Sequence, residues 1–514
     1  MKLVTSAQMQ KVDRETIDNV GIPGPELMEN AGRGIAECII EDLLSTSPGA
    51  KLTVLCGKGN NGGDGYVVAR YLHEAGFPVD MLYQGPYEKL SDDARLNFDR
   101  VKKLKLSMKE ITEPSVLPDS LDSEFIVDAI FGTGFSGSPR GITAEMIEYI
   151  NIQPQTVIAV DMPSGLNADT GEAEGSVVEA DYTYTLALPK FGLFVSPGRE
   201  LAGVVSVVPI GIPDGVVEQF EFTEELITQE MVLDRMPVRE PDGHKGTFGK
   251  VMVLSGSLGL TGAAALAAES ALRTGSGLVK LASPKSVIPI LAQSVIEATS
   301  YPLPEVAKKG ALALRALGEA RELAREHDAV IIGPGIGRHH ETWELVRRFL
   351  SKLEKPSIVD ADGLNALEGH TEVLKLAPDE VVITPHPGEF ARLSGKSPTK
   401  DLQQRIADAR EFADEHDVVV VLKGSPTVIA DPEGTVYVNQ TGNHGMATGG
   451  TGDVLSGMIG SLLGQGLDAL DAAICAVYMH GLAGDLAADD ITPRAMIAGD
   501  VIEYLGDVYE ELGI

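Results

Sequence analysis

The sequence has few cysteines, fewer basic than acidic residues, and no long hydrophobic run. Its three cysteines, Cys38, Cys56 and Cys475, are widely separated among 514 residues. This spacing argues against a disulfide framework or a cysteine-based zinc site and is typical of a reducing compartment. No apolar run approaches the ~20 residues of a membrane-spanning helix, and residues 1–10 lack the charged and apolar segments of a signal peptide. The sequence therefore predicts a cytoplasmic protein without membrane contact.

The shortage of basic residues limits the classes of partner. Lysine and arginine number 42 against 75 acidic residues, which gives a formal net charge of −33 and a pI near 4.6. Nucleic-acid binding requires a basic surface, so we expect no nucleic-acid partner. Any phosphate group must be held by backbone amides, local lysines or a metal ion. The length exceeds that of one ordinary core and predicts at least two domains.

What the chain does contain is a glycine-rich segment at residues 443–457, with Asp453 at the start of an apolar helix predicted from Val454. Glycines allow backbone N–H groups to converge on a ligand, and a helix N-terminus favours an anion. A carboxylate in such a site can take a proton from a hydroxyl beside a phosphoryl group. The alternative is that Asp453 only caps the helix.

Both halves of the chain alternate apolar strands with helices, and we see no repeat between them. In the first half, strands predicted at 52–57, 125–131 and 156–160 end in glycine- or acid-bearing loops. In the second half, strands at 249–255, 329–332, 356–360, 381–384 and 418–422 precede similar loops. A weak boundary lies near 220–239. Ligands of open parallel sheets bind at the carboxyl ends of the strands, so we expect a site in each half.

Five of these motifs occur in the order seen in the bifunctional NAD(P)H-hydrate repair enzymes, and the chain resembles that family over nearly its whole length. The motifs lie at residues 60–65, 161–165, 386–389, 423–425 and 449–453. The resemblance implies an α/β protein of two domains. Residues 1–222 would form a Rossmann-like three-layer α/β/α epimerase domain, and residues 223–514 a ribokinase-like α/β/α dehydratase domain.

The resemblance also implies a metabolite-repair activity on hydrated NADH and NADPH (NADHX and NADPHX). The N-terminal domain would interconvert the R and S hydrates at C6 of the nicotinamide ring. The C-terminal domain would dehydrate the S form with ADP or ATP, by phosphorylation of the C6 hydroxyl and loss of phosphate. Members of the family associate, so a homo-oligomer is expected.

In the first half, Asn61, Asp128 and Ser164 offer hard oxygen ligands that suit an alkali cation, and the resemblance implies potassium. Each could instead be a capping or turn residue. Asp161 is the candidate acid–base and Lys190 the second candidate, with a turn cap and a surface lysine as the alternatives. By the same likeness, the substrate would be bound by Asn60, Asn61, Gly62, Gly63, Asp64, Gly132, Thr133, Gly134, Phe135, Ser136, Gly137, Ser138 and Asp161.

In the second half, the chemistry needs a base, which we assign to Asp453, and donors for the phosphoryl group. The resemblance places the nucleotide, with Mg²⁺, at two loops, although no acidic cluster identifies the Mg²⁺ ligands. These loops consist of Lys423, Gly424, Ser425, Pro426 and Thr427, and of Gly449, Gly450, Thr451 and Gly452. The hydrated substrate would contact Ala263, Gly335, Gly337, His386 and Asp453. A turn-capping lysine and a structural histidine are the alternatives.

Two other functions compete with this interpretation. A small-molecule kinase of the ribokinase-like superfamily would explain the second half alone. A non-catalytic interaction module would explain the first half, but such a module needs none of Asn61, Asp64, Asp128 and Asp161. The sequence leaves open whether ADP or ATP, and NADH hydrate or NADPH hydrate, is preferred.

Overall fold

The computed structural model describes residues 1–377 and 380–514. The chain forms two compact units, Met1–Glu224 and Glu225–Ile514. The boundary predicted between residues 222 and 223 lies close to this division. That each unit is an independent domain stays a prediction.

The first unit, all of which is described, contains a seven-stranded parallel sheet. Its strands are β1 (Leu52–Cys56), β2 (Val79–Gln84), β3 (Ser107–Ile111), β4 (Phe125–Ala129), β5 (Thr156–Val160), β6 (Tyr182–Leu186) and β7 (Val204–Val208). Its helices are α1 (Ser6–Glu15), α2 (Gly24–Ile39), α3 (Asn60–Glu74), α4 (Asp92–Lys103), α5 (Ile142–Asn151), α6 (Gly198–Ala202) and α7 (Asp214–Glu218). The strand order β3-β2-β1-β4-β5-β6-β7 reverses direction between β1 and β4.

Helices cover both faces of this sheet, which confirms the three-layer arrangement. One apolar core joins α2, α3 and α4 to the sheet through Ile35, Val68 and Phe98. A second core joins α5 to the other face through Met146 and Ile150. The carboxyl ends of β1 and β4 are adjacent at the point of reversal, where crevices of doubly wound sheets form.

Helix α3 begins earlier than the sequence predicts. The segment 60–65 was expected to be a loop before a helix from Tyr66, but α3 starts at Asn60. A Cβ atom at Gly62 would overlap the carbonyl oxygen of Gly57, and one at Gly65 would lie 2.9 Å from Sγ of Cys56. These glycines therefore let the helix pack directly on the strands, and its N-terminus reaches the sheet edge.

The described part of the second unit contains a ten-stranded sheet. Its strands are β8 (Glu224–Leu226), β9 (Lys250–Leu254), β10 (Leu278–Pro284), β11 (Thr299–Leu303), β12 (Ala329–Ile332), β13 (Ser357–Val359), β14 (Val381–Ile383), β15 (Val419–Leu422), β16 (Val428–Ala430) and β17 (Val436–Val438). The order is β11-β10-β9-β12-β13-β14-β15-β16-β17-β8. In this spatial order, the seven strands from β11 through β10, β9, β12, β13 and β14 to β15 are parallel. Strand β16 is antiparallel to both of its neighbours, β15 and β17.

Helices α8 to α19 complete the second unit. They are α8 (Gln229–Leu233), α9 (Thr261–Arg273), α10 (Ile288–Ser294), α11 (Leu317–Arg325), α12 (His340–Leu350), α13 (Asp362–Asn365), α14 (Pro387–Ser394), α15 (Leu402–His416), α16 (Thr451–Gly464), α17 (Ala469–Ile491), α18 (Ala498–Glu503) and α19 (Leu505–Leu512). Val251 and Val253 join a large core with α9, α16 and α17. The alternate residues Met252 and Leu254 are buried on the opposite face.

Helix α16 packs closely against α9 through a glycine. A Cβ atom at Gly457 would overlap the carbonyl oxygen of Ala267. The helix starts at Thr451 rather than at Val454, so Asp453 lies in its first turn. The close packing therefore fixes the position of Asp453 relative to the sheet.

In the part of the chain that the structure describes, no helix has both the length and the apolar character needed to cross a bilayer.

Candidate active sites

A cavity of about 650 Å³ opens at the carboxyl ends of β1 and β4. Its volume is in the range of small-molecule sites, and it lies where the strand order reverses. The lining includes predicted residues from three strand-end loops and from α3, namely Asn60, Asn61, Asp64, Gly132, Thr133, Gly134, Phe135, Ser136, Asp161 and Lys190. It also includes Met9, Gln10 and Asp13 of α1, which the sequence analysis missed.

Asp161 and Lys190 form a buried ion pair in this cavity. Nζ of Lys190 lies 2.7 Å from Oδ1 of Asp161, and the lysine side chain is 1% exposed, so the surface alternative for Lys190 is wrong. Thr133 donates to Oδ2 through its amide and its hydroxyl, each at 2.7 Å. Burial acts to raise the pKa of Asp161, but the charge and hydrogen bond of Lys190 and the Thr133 donors hold it below its usual value.

Asp161 also has an uncommon backbone conformation, with φ at +66°. A non-glycine residue in this region costs about 1–3 kcal/mol unless its surroundings hold it. Here Lys190 and Thr133 provide those restraints. Such strain is concentrated at functional sites, so it supports a role for Asp161 beyond a turn cap.

Two other carboxyl groups face this pair. Burial raises the pKa of Asp13 to about 6, against the opposing effect of Lys190 and with the support of Asp161. Burial also raises the pKa of Asp64 well above its usual value, and Asp161 and Asp13 add to this. Asp13 could not have been found from a motif, because α1 carries none. The cavity thus combines one ionised carboxylate with two carboxyl groups that hold protons more tightly.

Asp128 and Ser164 are in direct contact behind the cavity. Asp128 is fully buried and accepts hydrogen bonds from the Ser164 amide at 2.8 Å, the Ser164 hydroxyl at 2.7 Å and the Ile130 amide at 3.1 Å. Burial raises its pKa to about 6 despite these donors. Asn61 lies nearby against Gly132, and among the described residues its buried Nδ2 has no hydrogen-bond partner.

The predicted phosphate cradle at 132–138 is partly occupied by internal bonds. The Thr133 amide is bound to Asp161, and the Phe135 amide donates to the Gly132 carbonyl. Gly62 and Gly63 serve packing rather than lining the cavity, since a Cβ atom at Gly63 would lie 2.6 Å from Met28. Among the residues that line the cavity, the amides of Gly134 and Ser136 and those at the start of α3 remain for a ligand, whereas Gly137 and Ser138, which were also predicted to bind substrate, are not part of the lining.

The second unit also gathers charged residues at the carboxyl edge of its sheet. Asp360 follows β13 and Lys423 follows β15, and Nζ of Lys423 donates to Oδ1 of Asp360 at 2.9 Å. Ser456 of α16 donates to Oδ2 of the same carboxylate at 2.7 Å. A Cβ atom at Gly452 would lie 3.1 Å from Nζ of Lys423. Sequence reasoning identified the loop that carries Asp360 but gave this residue no role.

Asp453 lies beside this ion pair in the first turn of α16. Burial raises its pKa to about 7, Asp360 adds to the rise, and Lys423 opposes it. The first internal bond of the helix runs from the Val454 amide to the Gly450 carbonyl. The amides of residues 451–453 therefore have no acceptor within the helix and can bind an anion.

The His386 ring caps helix α14 and is also partly exposed to solvent. Its Nδ1 accepts from the Gly388 amide at 2.9 Å and from the Glu389 amide at 3.3 Å, so the ring caps α14. Burial, then Lys423 and Arg392, lower its pKa. The neutral ring with an accepting Nδ1 carries its proton on Nε2. Nε2 lies 3.5 Å from Oε1 of Glu389, and the side chain is 53% exposed, so a ligand can reach the ring edge beside that carboxylate.

A buried arginine supports the loop at 423–427. Arg405 of α15 is 6% exposed and donates to the carbonyls of Leu422 at 3.3 Å and Pro426 at 2.7 Å. Within the described ranges no carboxylate pairs with it, and burial lowers its pKa to about 10. Gly424 packs on the guanidinium. The sequence carried no signal for this support, because Arg405 precedes the loop by a whole strand.

The remaining predicted residues also lie at this edge. Gly335 has a φ of +61°, and its Cβ position would be 3.1 Å from Cβ of Ala263. The Gly337 amide donates to Oδ2 of Asp362 at 3.0 Å. The predicted residues of the second unit thus come from loops after strands and from the first turns of α9, α14 and α16.

Comparison with known proteins identifies the family. A family model described as NAD(P)H-hydrate dehydratase matches residues 251–506, and one described as YjeF-related protein N-terminus matches residues 24–192. The bifunctional NAD(P)H-hydrate repair enzyme Nnr of Moorella thermoacetica is 44% identical over 100% of this chain and 97% of its own length. The chain belongs to the family of bifunctional NAD(P)H-hydrate repair enzymes.

Other relatives agree with this assignment. The repair enzyme of the same name from Escherichia coli is 37% identical over 97% of this chain and 92% of its own. A crystal structure of the ADP/ATP-dependent NAD(P)H-hydrate dehydratase of Bacillus subtilis, co-crystallised with ATP and Mg²⁺, is 34% identical. It covers 56% of this chain and 98% of its own, with a TM-score of 0.48. The family models and these full-length relatives confirm the resemblance predicted from the sequence, and the sheets of the two units confirm the α/β fold class.

Proposed function

We propose that the cavity of the first unit carries the epimerisation of hydrated NADH and NADPH, and that the sheet edge of the second unit carries their nucleotide-dependent dehydration. Membership of the repair-enzyme family makes the chain a bifunctional NAD(P)H-hydrate epimerase and dehydratase. The observation that carries the dehydratase assignment is Asp453, a carboxyl group with a pKa of about 7 at a helix start beside Lys423 and Asp360.

For the dehydration, Asp453 would take the proton of the C6 hydroxyl as the oxygen attacks the terminal phosphoryl group of ADP or ATP. A base with a pKa near the working pH suits this step. The amides of residues 451–453 and the ammonium of Lys423 would stabilise the charge on the phosphoryl oxygens. The nucleotide leaves as AMP or ADP. Phosphate then leaves C6 with the electron pair of the C–O bond as the lone pair of N1 forms a C6=N1 iminium ion, and loss of a proton from C5 to solvent gives the C5–C6 double bond of the reduced nicotinamide.

Mg²⁺ bound with the nucleotide would neutralise the charge of its phosphate groups. In residues 1–377 and 380–514 no group of three His, Cys, Asp or Glu side chains could hold a metal ion. This agrees with the usual Mg²⁺ site, in which phosphates and waters supply most ligands and one or two carboxylates the rest. The nucleotide itself would lie on the loop at 423–427 and the glycines at 449–452.

The hydrated nicotinamide would approach Asp453 from the side of His386. His386 is partly exposed, and Gly335 packs against Ala263 in the first turn of α9. These residues come from the loops after β12 and β14 and from the start of α9, so they can contact a ligand from different sides. This arrangement would orient the C6 hydroxyl toward Asp453.

In the first unit, the donor set at Asp128 fits a potassium ion. Asp128 carries a formal charge in a fully buried position, and no basic side chain forms an ion pair with it among the described residues. An uncompensated buried charge is costly, and a bound cation would remove that cost. Ser164 and Asn61 would add oxygen ligands, and the cation would hold the neighbouring Phe131 and Gly132 backbone in place.

The substrate's diphosphate and ribose would bind at the start of α3 and along the 134–136 segment. Asp161 and Lys190 satisfy each other, so we assign them to the organisation of the site and to its electric field. The alternative is that Asp161 itself exchanges the proton, for which it would have to break its bonds to Lys190 and Thr133.

The test of the proposed function is direct. Purified protein is mixed with an R/S mixture of NADH hydrate, ADP and Mg²⁺, and the absorbance of reduced nicotinamide is followed. Full recovery requires both activities. A protein that phosphorylates other small molecules and leaves the hydrate unchanged would contradict the proposal.

A further inference from the structure

The N-terminal segment is attached to the backbone that carries Lys190. The Val4 amide donates to the Pro189 carbonyl at 3.0 Å, and Val4 and Lys190 form a parallel bridge. Ser6 donates to Asp169 through its amide at 2.5 Å and its hydroxyl at 2.9 Å. These bonds fix α1 in register beside the cavity, although the family model begins only at residue 24.

One face of α1 forms part of the cavity wall. Met9, Gln10 and Asp13 line the cavity, and the spacing of Met9 and Asp13 places them one turn apart on the same face. Met9 and Val12 are buried and anchor the helix. Asp13 is therefore held at the cavity by packing on both sides of it.

The two charged groups expected to move protons are occupied. Oδ1 of Asp161 accepts from Lys190, and Oδ2 accepts twice from Thr133. Lys190 also donates to the Thr185 hydroxyl at 3.0 Å and to the Leu186 carbonyl at 2.8 Å, so its three N–H groups are in use. Neither group can exchange a proton without breaking this network.

The carboxyl group of Asp13 is free by comparison. In the fully described first unit it makes no side-chain hydrogen bond and no ion pair, yet it faces Lys190 of the β6 loop, Asp161 of the β5 loop and Asp64 of α3. The side chain is half-buried at the cavity surface. A carboxylate in this position can reach a ligand without losing a protein partner.

The charges also orient the substrate. Asp13 and Asp161 against the single Lys190 give this end of the cavity a net negative charge. A diphosphate would be repelled from it and attracted to the amides of Gly134 and Ser136 and of the α3 start. The uncharged ring of the hydrate, with its C6 hydroxyl, is therefore the part that meets Asp13.

We propose that Asp13 is a catalytic residue of the epimerisation, taking the proton of the C6 hydroxyl when the ring opens and returning it when the ring closes. This step rests on the proposed function of the cavity. As the O–H proton moves to the Asp13 carboxylate, the C6–O bond becomes a carbonyl and the C6–N1 bond breaks. Its electron pair goes to N1, which takes a proton from solvent. After rotation about C5–C6, N1 attacks the other face of C6, loses that proton, and the hydroxyl is re-formed with the opposite configuration.

Full-length Asp13→Asn protein tests the proposal. Exchange of the R and S hydrates, followed by chromatography, should fall by about 10²–10⁴-fold, as for loss of a general base. The KM for the hydrates in epimer exchange should stay within about threefold, which reports on correct folding of the first unit, and dehydration of the S form should keep its wild-type rate. Asp18→Asn, an exposed acid just after α1, is the matched control and should exchange normally.

Chemical rescue separates proton transfer from a structural role. Added formate should restore part of the exchange in Asp13→Ala, because it can enter the vacated space and act as the base. Exchange by Asp13→Asn within tenfold of wild type, or no rescue of an inactive Asp13→Ala, would overturn the role of Asp13. Wild-type protein that does not exchange the epimers at all would instead overturn the assignment of the cavity.

Discussion

At the scale of single residues, the second unit depends most on Asp453. Asp453→Asn keeps the size and polarity of the side chain but cannot accept a proton. We predict that dehydration falls by about 10²–10⁴-fold, while nucleotide binding, measured by calorimetry, changes little. Dehydration within tenfold of wild type would show that another group is the base.

The pKa of about 7 for Asp453 also predicts a pH dependence. A general base works only when it is ionised, so dehydration at saturating substrate should rise with pH through about 7 and then level off. Below that value the rate should drop close to tenfold per pH unit. Because burial is the main cause of the shift, nucleotide binding that excludes more water should move the midpoint upward. A rate constant that does not change between about pH 5.5 and about pH 8 would contradict the assignment.

Arg405 gives a third prediction at this scale. Its planar guanidinium reaches the carbonyls of Leu422 and Pro426 at once, which a lysine ammonium cannot match. Loss of one such bond costs about 1.5–3 kcal/mol. Arg405→Lys should therefore raise the KM for ADP or ATP by about tenfold and leave kcat nearly unchanged.

The matched control is Arg410→Lys on the same helix, whose Nε donates to the Gly434 carbonyl at 2.9 Å, in the turn between β16 and β17. The Arg410→Lys substitution should not change the KM for the nucleotide. If both variants raised it equally, a general loosening of α15 would explain the effect better than support of the nucleotide loop.

At the scale of elements, the contact of α16 with α9 sets the position of the dehydratase base. Gly457→Ala would place a methyl group against Ala267 and Ser270, and overpacking of this kind costs about 1–3 kcal/mol. We predict a lower melting temperature and slower dehydration, with epimer exchange unaffected.

Gly499→Ala is the corresponding control. A Cβ atom there would meet nothing within 4 Å, and the residue lies in α18. Alanine favours helix over glycine by about 1 kcal/mol, so this variant should be as stable as the wild type or more stable. Equal destabilisation by both substitutions would exclude the packing explanation.

The sequence predicted most of the buried parallel strands, because continuous valine and isoleucine runs such as β5 and β12 are typical of them. It missed β3, whose Ser107 and Lys109 interrupt the apolar pattern, and it missed the parallel strands β10 and β11 and the three-residue strands β8, β16 and β17. It also took the start of α3 for a loop, since glycines usually break helices. There the need for close packing on β1 and β4 outweighs helix propensity.

The prediction of site residues from the sequence had a similar limit. Residues at the ends of parallel strands share one edge, so Asp161 and Lys423 could be predicted as site residues from the sequence. Asp453 was predicted from the glycine-rich start of its helix. Asp13 and Arg405 could not, because their helices reach the sites through tertiary packing that no local pattern encodes. Their chemistry becomes visible only when Val4 pairs with Lys190 and when α15 lies under the 423–427 loop.

At the scale of the whole molecule, the two activities should be separable without cutting the chain. Full-length Asp453→Asn should exchange the epimers and dehydrate neither. Full-length Asp161→Asn, if the cavity is the epimerase, should convert the S portion of a mixed sample quickly and then slow to the spontaneous exchange rate. Mixing the two proteins should restore complete conversion. An Asp161→Asn protein that consumes both epimers at one rate would contradict the division of labour.

The attachment of Val4 to the Lys190 backbone has a consequence for any product that is translated from a later start codon. Translation from the internal Met28 would yield a chain that still contains most of residues 24–192 and the whole dehydratase region. Similarity searches would assign such a product to the same family. It would nevertheless lack the bridge to Lys190 and all of α1, and on the role proposed here it would repair only one of the two hydrates. An affinity tag placed before Met1 carries a milder form of the same risk, which a tag after Ile514 avoids.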